Sequence, residues 1–322
     1  MNISRARLLL GLSLCAFAAG AQTSQIPRTP DGQPDLEGIW SNATITPLER
    51  PRELAGKQTF TPEEAAAYEK QIVDRNNVDH RSGNAQADVS LGYNNFWWDR
   101  GTKVIQGDRT SLLVDPPDGR IPALTPEAQK RMQESRAWMQ EHATDGPEGR
   151  SLSERCILWT TAGPPMLPGP YNNNFQILQT RDQVVILNEM IHDVRIVPLD
   201  GRPHVPSNIR EWMGDSRGHW ERNTLVVDTT NFTDKYSFRG SDRNLHLIER
   251  FTRVSPDTLL YEFTVDDPTA FTKPWTAQIP VTKIKGPIFE YACHEGNYAM
   301  TDILAGARAA EKKGRNDRKA NR

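Results

Sequence analysis

Cysteine and long apolar runs are both scarce in this sequence. Three cysteines occur in 322 residues, and no C-x-x-C pair is present, which excludes the usual zinc-ribbon and thioredoxin-type motifs. No apolar run is long enough to cross a bilayer. The mean hydropathy of −0.64 is typical of a soluble protein with an ordinary core.

The signatures of the main nucleotide-binding and hydrolase families are missing as well. There is no Walker loop, no G-x-S-x-G elbow and no G-x-G-x-x-G after a predicted strand. The GDSRG segment at residues 214–218 is superficially similar to a nucleophile elbow, but a hairpin follows it where that motif needs a helix. The net charge of −2 gives no reason to expect nucleic-acid binding.

Residues 1–21 have the pattern of a signal peptide. Arg5 and Arg7 precede an apolar run at residues 8–18, and the A-x-A sequence at 19–21 is a cleavage site. Cys15 follows a leucine, which is not the small residue of a lipoprotein box. We therefore expect a periplasmic or secreted protein without a membrane span.

Export would leave Cys156 and Cys293 in an oxidising compartment. A disulfide between them would close a loop of about 137 residues and stabilise the fold by roughly 4 to 5 kcal/mol in the chain-entropy model. The alternative is two buried free thiols, because a sequence does not fix the distance between two Cα atoms.

Residues 172–295 contain short apolar segments separated by turn residues, a pattern typical of antiparallel strands. The connections at Arg181-Asp182 and Arg222-Asn223 are too short for parallel crossovers. Alternation of apolar and polar residues is clearest between residues 259 and 266. The predicted strands are FQILQT, QVVILNE, HDVRIVPL, GHWER, TLVVDTT, LHLIERFTRV, DTLLYEFTVD, TAQIPVTK and IFEYACHE.

We predict a mainly β fold, an antiparallel up-and-down barrel of the lipocalin type. A barrel is favoured over a sandwich because successive hairpins that close on themselves leave no sheet edge. An N-terminal arm with two helices and an aromatic lid segment is expected at residues 22–150. The barrel is expected at 151–304, and a charged tail at 305–322.

The two helices have recognisable starts. Thr61 and Glu64 form a capping box around a proline at the first helical position, and Thr125 precedes a second proline in the same way. The helices are predicted to end near residues 75 and 142. A short strand is predicted at 110–115.

Blocks of sequence along nearly the whole chain support export and this fold. They are TPDGQPDLEGIW, DPPDGRIPALTPEA, HDVRIVPLDGRPH, WMGDSRGHWERNTLVVDTTNF, ERFTRVSPDTLLYEFTVDDP and YACHEGNY. Together they resemble a family of uncharacterised exported bacterial β-rich proteins. The resemblance implies export and a shared fold, and it supplies no activity. Arg222-Asn223 departs from the Gly-Asp that the family usually has at this turn.

His192 is the first candidate for chemistry. On a strand it is in phase with Val194, so we predict that it points to the apolar interior while Arg195 points outward. An inward histidine either completes a buried hydrogen-bond network or faces a ligand cavity. The nearby carboxylates of Glu189 and Asp193 favour the second interpretation, because an imidazole with a carboxylate partner is a common unit of acid–base catalysis.

The end of the last predicted strand holds the second candidate. His294 and Glu295 are predicted to complete a catalytic site with His192. His192, His204 and His294 could also form a three-histidine site for a divalent metal. No spacing among them matches a known motif such as H-E-x-x-H, so the cofactor is left undetermined.

Arginines and tryptophans are the candidates for substrate binding. Arg195 and Arg239 could clamp a carboxylate or sugar hydroxyls, the alternative being ordinary ion pairs at turns. Trp97 and Trp98 could stack on a sugar or an aromatic ring, or act as a lid. Tryptophan is, however, more often a packing residue.

Two functions are consistent with these features. The first is an exported enzyme, a hydrolase or lyase, that uses acid–base or metal-assisted chemistry on a small polar molecule such as a carbohydrate or glycoside. The second is a non-catalytic periplasmic protein that binds a small molecule in the same cavity. Ionisable residues within the strands favour the enzyme, and the absence of a catalytic motif favours the binding protein.

Overall fold

The computed structural model describes residues 26–90, 92–159 and 161–320. The predicted signal peptide, with Cys15, lies outside these residues. The strands are β1 (Gly38–Ser41), β2 (Leu113–Asp115), β3 (Asn174–Gln179), β4 (Gln183–Asn188), β5 (Val194–Pro198), β6 (Asp215–Glu221), β7 (Thr224–Thr230), β8 (His246–Ser255), β9 (Thr258–Asp266) and β10 (Trp275–Ile284). The α-helices are α1 (Pro62–Asn76), α2 (Ala85–Ser90), α3 (Pro126–Glu141) and α4 (Ala299–Ala320).

Both predicted helix starts are confirmed. In α1, Thr61 Oγ1 accepts a hydrogen bond from Glu64 N at 3.3 Å and Thr61 N donates to the Glu64 carboxylate at 2.8 Å, which completes the capping box. In α3, Thr125 Oγ1 accepts from Ala128 N at 3.1 Å. A further helix, α4, occupies most of the segment expected to be a charged tail.

The strands form one antiparallel sheet in the order β5-β4-β3-β1-β10-β9-β8-β7-β6, with β2 also paired to β10. The mainly β, antiparallel prediction is therefore confirmed. The strand predicted at residues 288–295 is wrong, because β10 is followed by non-strand turns there. The segment predicted as an arm supplies β1, between β3 and β10. The sheet thus draws on residues from both sides of the boundary predicted at residue 150.

The inner face of the sheet is packed with large side chains. Leu259, Tyr261, Phe263 and Val265 of β9 are all 0% exposed, as their alternation predicts. Trp40 and Trp275 are equally buried. These side chains fill the core on the inner face of the sheet. The space that remains for a ligand lies at the two ends of the sheet.

The two outer strands of the sheet, β5 and β6, lie side by side. Among the described residues no ladder of hydrogen bonds joins them, so the sheet is open and the predicted closed barrel is not established. They meet through side chains at Gly218, where an added Cβ would lie 2.7 Å from atoms of both Val197 and Leu199. Glycine permits this close approach because it has no side chain.

Cys156 and Cys293 have the geometry of a disulfide, as predicted, with Cα atoms 5.7 Å apart across 137 residues of sequence. The bond joins the segment before β3 to the segment after β10. None of the described helices combines the length and the apolar character that a membrane crossing requires.

Candidate functional site

The predicted orientation of β5 is wrong. Arg195 is 6% exposed, whereas Val194 and Ile196 are 57% and 56% exposed, so Arg195 points inward. His192 does not belong to the strand, because Ile191 and His192 lie in a turn with φ values of 66° and 47° and β5 begins only at Val194. His192 itself is exposed.

Arg195 is held by an ion pair inside the core. Its Nη2 donates to Glu249 Oε1 at 3.0 Å, and its Nη1 donates to the other carboxylate oxygen. Tyr261 also donates to Glu249 Oε1, at 2.8 Å, and its own hydroxyl accepts from Met166 N at 3.0 Å. Burial raises the pKa of Tyr261 well above its ordinary value. Arg195 is thus committed to the fold and not free to clamp a substrate.

The structure does not bring the predicted histidines together. Among the described residues, no three His, Cys, Asp or Glu side chains form a group that could hold a metal ion, so the set His192, His204 and His294 is not assembled. His294 and Glu295 are exposed in the turn after residue 290. No hydrogen bond or ion pair in the described part of the chain links either of them to His192.

His204 instead belongs to a chain of alternating histidines and aspartates on the outer face of β6, β7 and β8. Its Nδ1 lies 2.8 Å from Asp215 Oδ2, and its Nε2 lies 2.9 Å from Asp228 Oδ1. The second oxygen of Asp228 lies 2.8 Å from His246 Nε2. This hydrogen bond raises the pKa of His246. The residues, which we call the His–Asp chain, are too far apart in sequence to form a recognisable motif.

A cavity with a volume of about 700 Å³ lies beyond the end of β1. One wall is a face of α1, because Tyr68, Ile72 and Arg75 are four and three residues apart and so share a helix face. The helix is fixed to the following chain by Glu69, whose carboxylate accepts from Lys103 Nζ at 2.7 Å and from Val104 N at 3.1 Å.

Residues 236–239, which lead into a tight turn at residues 238–241, form another part of the wall. Phe238 N donates to Ser241 O at 2.7 Å, and Ser241 N donates back at 3.0 Å. Phe238 is buried in the core, while the positive φ of Arg239, 55°, leaves its side chain exposed at the cavity. Arg239, predicted as a substrate-binding residue, is therefore placed at a cavity.

Three arginines line this cavity, which we call the arginine cavity: Arg75, Arg100 and Arg239. None of their guanidinium groups makes a hydrogen bond or an ion pair with a described residue. Arg100 instead lies over the ring of Trp98, 4.1 Å from its centroid. The described lining contains no aspartate, glutamate or histidine, so the positive charge has no acidic partner on the cavity wall.

Two tyrosines add neutral donors to the same lining. Neither Tyr68 nor Tyr236 makes a hydrogen bond through its hydroxyl with a described residue. Burial raises the pKa of Tyr236 to about 12, and burial also raises the pKa of Tyr68. Both hydroxyls therefore remain protonated at neutral pH and can donate to a bound molecule.

Aromatic rings support one side of the arginine cavity. Trp159 lines it and packs against Tyr171 and Tyr291, with ring centroids 6.1 and 6.4 Å away. Of the two tryptophans predicted as a lid, Trp98 packs against Tyr171 at 5.9 Å and lies behind Arg100. Trp97 is 63% exposed and does not line the cavity.

Sequence reasoning missed most of this cavity. Arg75, Arg100, Tyr68 and Tyr236 come from separate segments, and no local pattern distinguishes them from surface residues. No family model matches the chain, and neither the curated proteins nor the solved structures include a significant match.

Proposed function

We propose that the protein binds a small anionic molecule in the arginine cavity. The observation that carries this proposal is the set of three guanidinium groups, Arg75, Arg100 and Arg239, which line one cavity without a carboxylate partner on its described wall. Arg100 is half-buried, whereas Arg75 and Arg239 are exposed at the mouth of the cavity, so like charges are gathered there without neutralisation. A ligand with a carboxylate, sulfonate or phosphate group would supply the missing partner.

The remaining lining residues narrow the chemical class of the ligand further. Leu48, Ile72 and Trp159 give the cavity an apolar side, and the hydroxyls of Tyr68 and Tyr236 add donors but no negative charge. A volume of about 700 Å³ lies within the range of small-molecule sites. We therefore infer an acid with an aromatic or aliphatic body, held by its acidic group at the arginines.

The same lining supports binding over catalysis. A general base must lie within hydrogen-bond reach of the proton that it removes. The described lining has no histidine or carboxylate, and the hydroxyl of Tyr236, whose pKa is about 12, is a poor base at neutral pH. The proposal is thus a small-molecule-binding protein, exported and built on a barrel-like frame, rather than the hydrolase or lyase based on His192, His294 and Glu295.

Binding of 8-anilinonaphthalene-1-sulfonate, an aromatic sulfonate whose fluorescence rises on binding, tests the proposal. We expect Arg75→Gln and Arg239→Gln each to weaken binding by about three- to tenfold, since a partly exposed charged hydrogen bond contributes about 1 kcal/mol. Arg136→Gln, on an exposed position of α3, is the matched control and should bind as the wild type does.

The neutral probe N-phenyl-1-naphthylamine separates charge recognition from general apolar binding. It should bind more weakly than the sulfonate to the wild type, and the arginine substitutions should leave its affinity unchanged. Equal loss of both probes, or no loss in either arginine variant, would contradict the proposal.

A further inference from the structure

A second cavity, of about 610 Å³, lies at the opposite end of the sheet. β1 runs from one cavity to the other, since Glu37 before this strand lines the second cavity and Thr44 after it lines the arginine cavity. The wall of the second cavity is formed by the segment at residues 28–37, the turn between β3 and β4, and Trp220 on β6.

The wall segment is held in place by hydrogen bonds, several of them made by the lining side chains of Arg28 and Gln179. Arg28 donates to Gly32 O at 2.6 Å and to Asn223 Oδ1 at 2.9 Å. Gln179 accepts from Leu36 N at 2.9 Å and donates to Pro34 O at 3.2 Å. The segment therefore has a fixed shape before any ligand arrives, which reduces the entropy cost of binding.

Several polar groups on this fixed wall have no partner. Asp31, Gln33 and Arg181 make no side-chain hydrogen bond or ion pair with a described residue. Glu37 uses one carboxylate oxygen to accept from Gln179 N at 3.2 Å, and no described group bonds its other oxygen. Hydrogen-bond acceptors and donors without described partners therefore line the same cavity.

This mixture differs from the lining of the arginine cavity. The first cavity offers donors and no described acidic side chain, which suits an anion. The second offers carboxylates, amides and a guanidinium together, which suits groups that both donate and accept. Sugar hydroxyls are such groups, and a neutral sugar avoids the repulsion that Asp31 and Glu37 would impose on an acid.

Trp220 adds a flat apolar surface to the polar wall. Its side chain is half-buried, packs against the core and lines the second cavity. The C–H face of a pyranose ring is apolar and can pack on an aromatic ring, while the hydroxyls at its rim reach polar side chains. An indole that packs against the core and also lines a polar cavity meets both requirements.

We infer that the second cavity binds a neutral saccharide, with its ring on Trp220 and its hydroxyls on Asp31, Gln33 and Arg181. This inference does not depend on the ligand of the arginine cavity, because the two sites share no lining residue. The N-terminal TPDGQPDLEG sequence thereby forms a saccharide-binding wall.

Saturation-transfer NMR with maltose, cellobiose, lactose and chitobiose on the full chain tests the inference. We expect at least one disaccharide to bind, with the strongest saturation on ring C–H protons that face the indole. Asp31→Ala and Arg181→Ala, both at exposed positions, should each weaken binding several-fold. Trp220→Ala should weaken it by about tenfold.

Matched variants keep each outcome informative. Trp220→Phe retains an aromatic ring and should bind the sugar better than Trp220→Ala. Because Trp220→Phe also preserves most of the packing, it separates loss of the stacking surface from unfolding of the protein. Trp138→Ala, on the exposed face of α3, and Arg239→Gln should both bind as the wild type does. Failure of all four sugars to bind overturns the inference, and so does binding that Arg239→Gln abolishes or that Asp31→Ala and Arg181→Ala leave intact.

Discussion

Arg195 and Glu249 place opposite charges in the core, where removing each ion from water costs several kcal/mol. Two guanidinium nitrogens and the Tyr261 hydroxyl donate to the Glu249 carboxylate, which offsets that cost. Each partner then depends on the other, because removing one leaves an unpaired charge in a site that water does not reach. The Arg195–Glu249 pair is therefore a structural contact, and substitution of either partner is expected to destabilise the fold.

We expect Glu249→Ala to lower the free energy of unfolding by about 3 to 5 kcal/mol, since it leaves Arg195 buried without a partner. Tyr261→Phe should cost about 1 to 2 kcal/mol through one lost hydrogen bond. Urea unfolding followed by circular dichroism measures both.

Glu134→Ala, which breaks an exposed pair with Lys130, is the control. It should lower the free energy of unfolding by less than about 0.5 kcal/mol. A similarly small loss for Glu249→Ala would refute this account.

Among the elements, β6, β7 and β8 are linked across their outer face by the His–Asp chain. His246 on β8 lies between Asp228 on β7 and Asp266 on β9, and its hydrogen bond to Asp228 raises its pKa. Burial opposes ionisation of Asp228, but the hydrogen bonds from His246 and His204 outweigh it and lower the pKa of that aspartate.

These two pKa shifts set the pH range in which the His–Asp chain stabilises the fold. The contribution of His246 is complete below its unfolded pKa of about 6.5 and is lost as pH rises through the higher folded pKa. The contribution of Asp228 is complete above its unfolded pKa of about 3.9 and is lost as pH falls through the lower folded pKa. Both are present together between those two values.

We therefore expect His246→Gln to destabilise the protein most near about pH 5, between the two unfolded pKa values, and less as pH rises through the folded pKa of His246, where the native histidine loses its charge. The largest difference should be at most about 1 kcal/mol, because the pair is partly exposed. Unfolding free energies measured across this range test it. His80→Gln, an exposed histidine without a described carboxylate partner, should give a small and flat difference; a flat difference for His246→Gln would also count against the idea.

Elements differed in how well their sequences predicted them. Thr61 and Thr125 mark helix starts through short-range hydrogen bonds, and β9 alternates cleanly because each residue meets either the core or the outer face. For β5 the sequence predicts the opposite phase, because apolar Val194 and Ile196 are exposed while charged Arg195 is buried. The buried charge of Arg195 is compensated by Glu249, 54 residues away. No local sequence pattern reveals this pairing.

At the scale of the whole molecule, the disulfide joins two distant parts of the chain. Cys156→Ser/Cys293→Ser should lower the free energy of unfolding by about 5 kcal/mol, the chain-entropy value for a loop of this length. Urea unfolding of this variant and of the wild type with and without reductant measures the loss. The reduced wild type should match the variant; equal stability of all three would show that the bond contributes nothing.

The arginine cavity also belongs to this scale, because it exists only after folding. Its charged residues come from the end of α1, from the segment after Trp98 and from the turn at residues 238–241. Arg239 lies in the strand-rich region, where arginines are candidates for substrate binding. Arg75 and Arg100 follow Asp74 and Asp99 in sequence, and only the folded structure shows that the cavity wall around them carries no acidic side chain among its described residues.

Among the described residues, β5 and β6 are neighbours without a backbone ladder between them, which leaves a seam in the molecule. Along it the two strands touch through side chains such as Val197 at Gly218, while every other neighbouring pair in the main sheet is joined by backbone hydrogen bonds. The buried pair of Arg195 on β5 and Glu249 on β8 also bridges these two ends of the sheet. The closure of the two ends therefore depends on side-chain packing and on this one ion pair, so a substitution that removes the pair is expected to weaken the closure first.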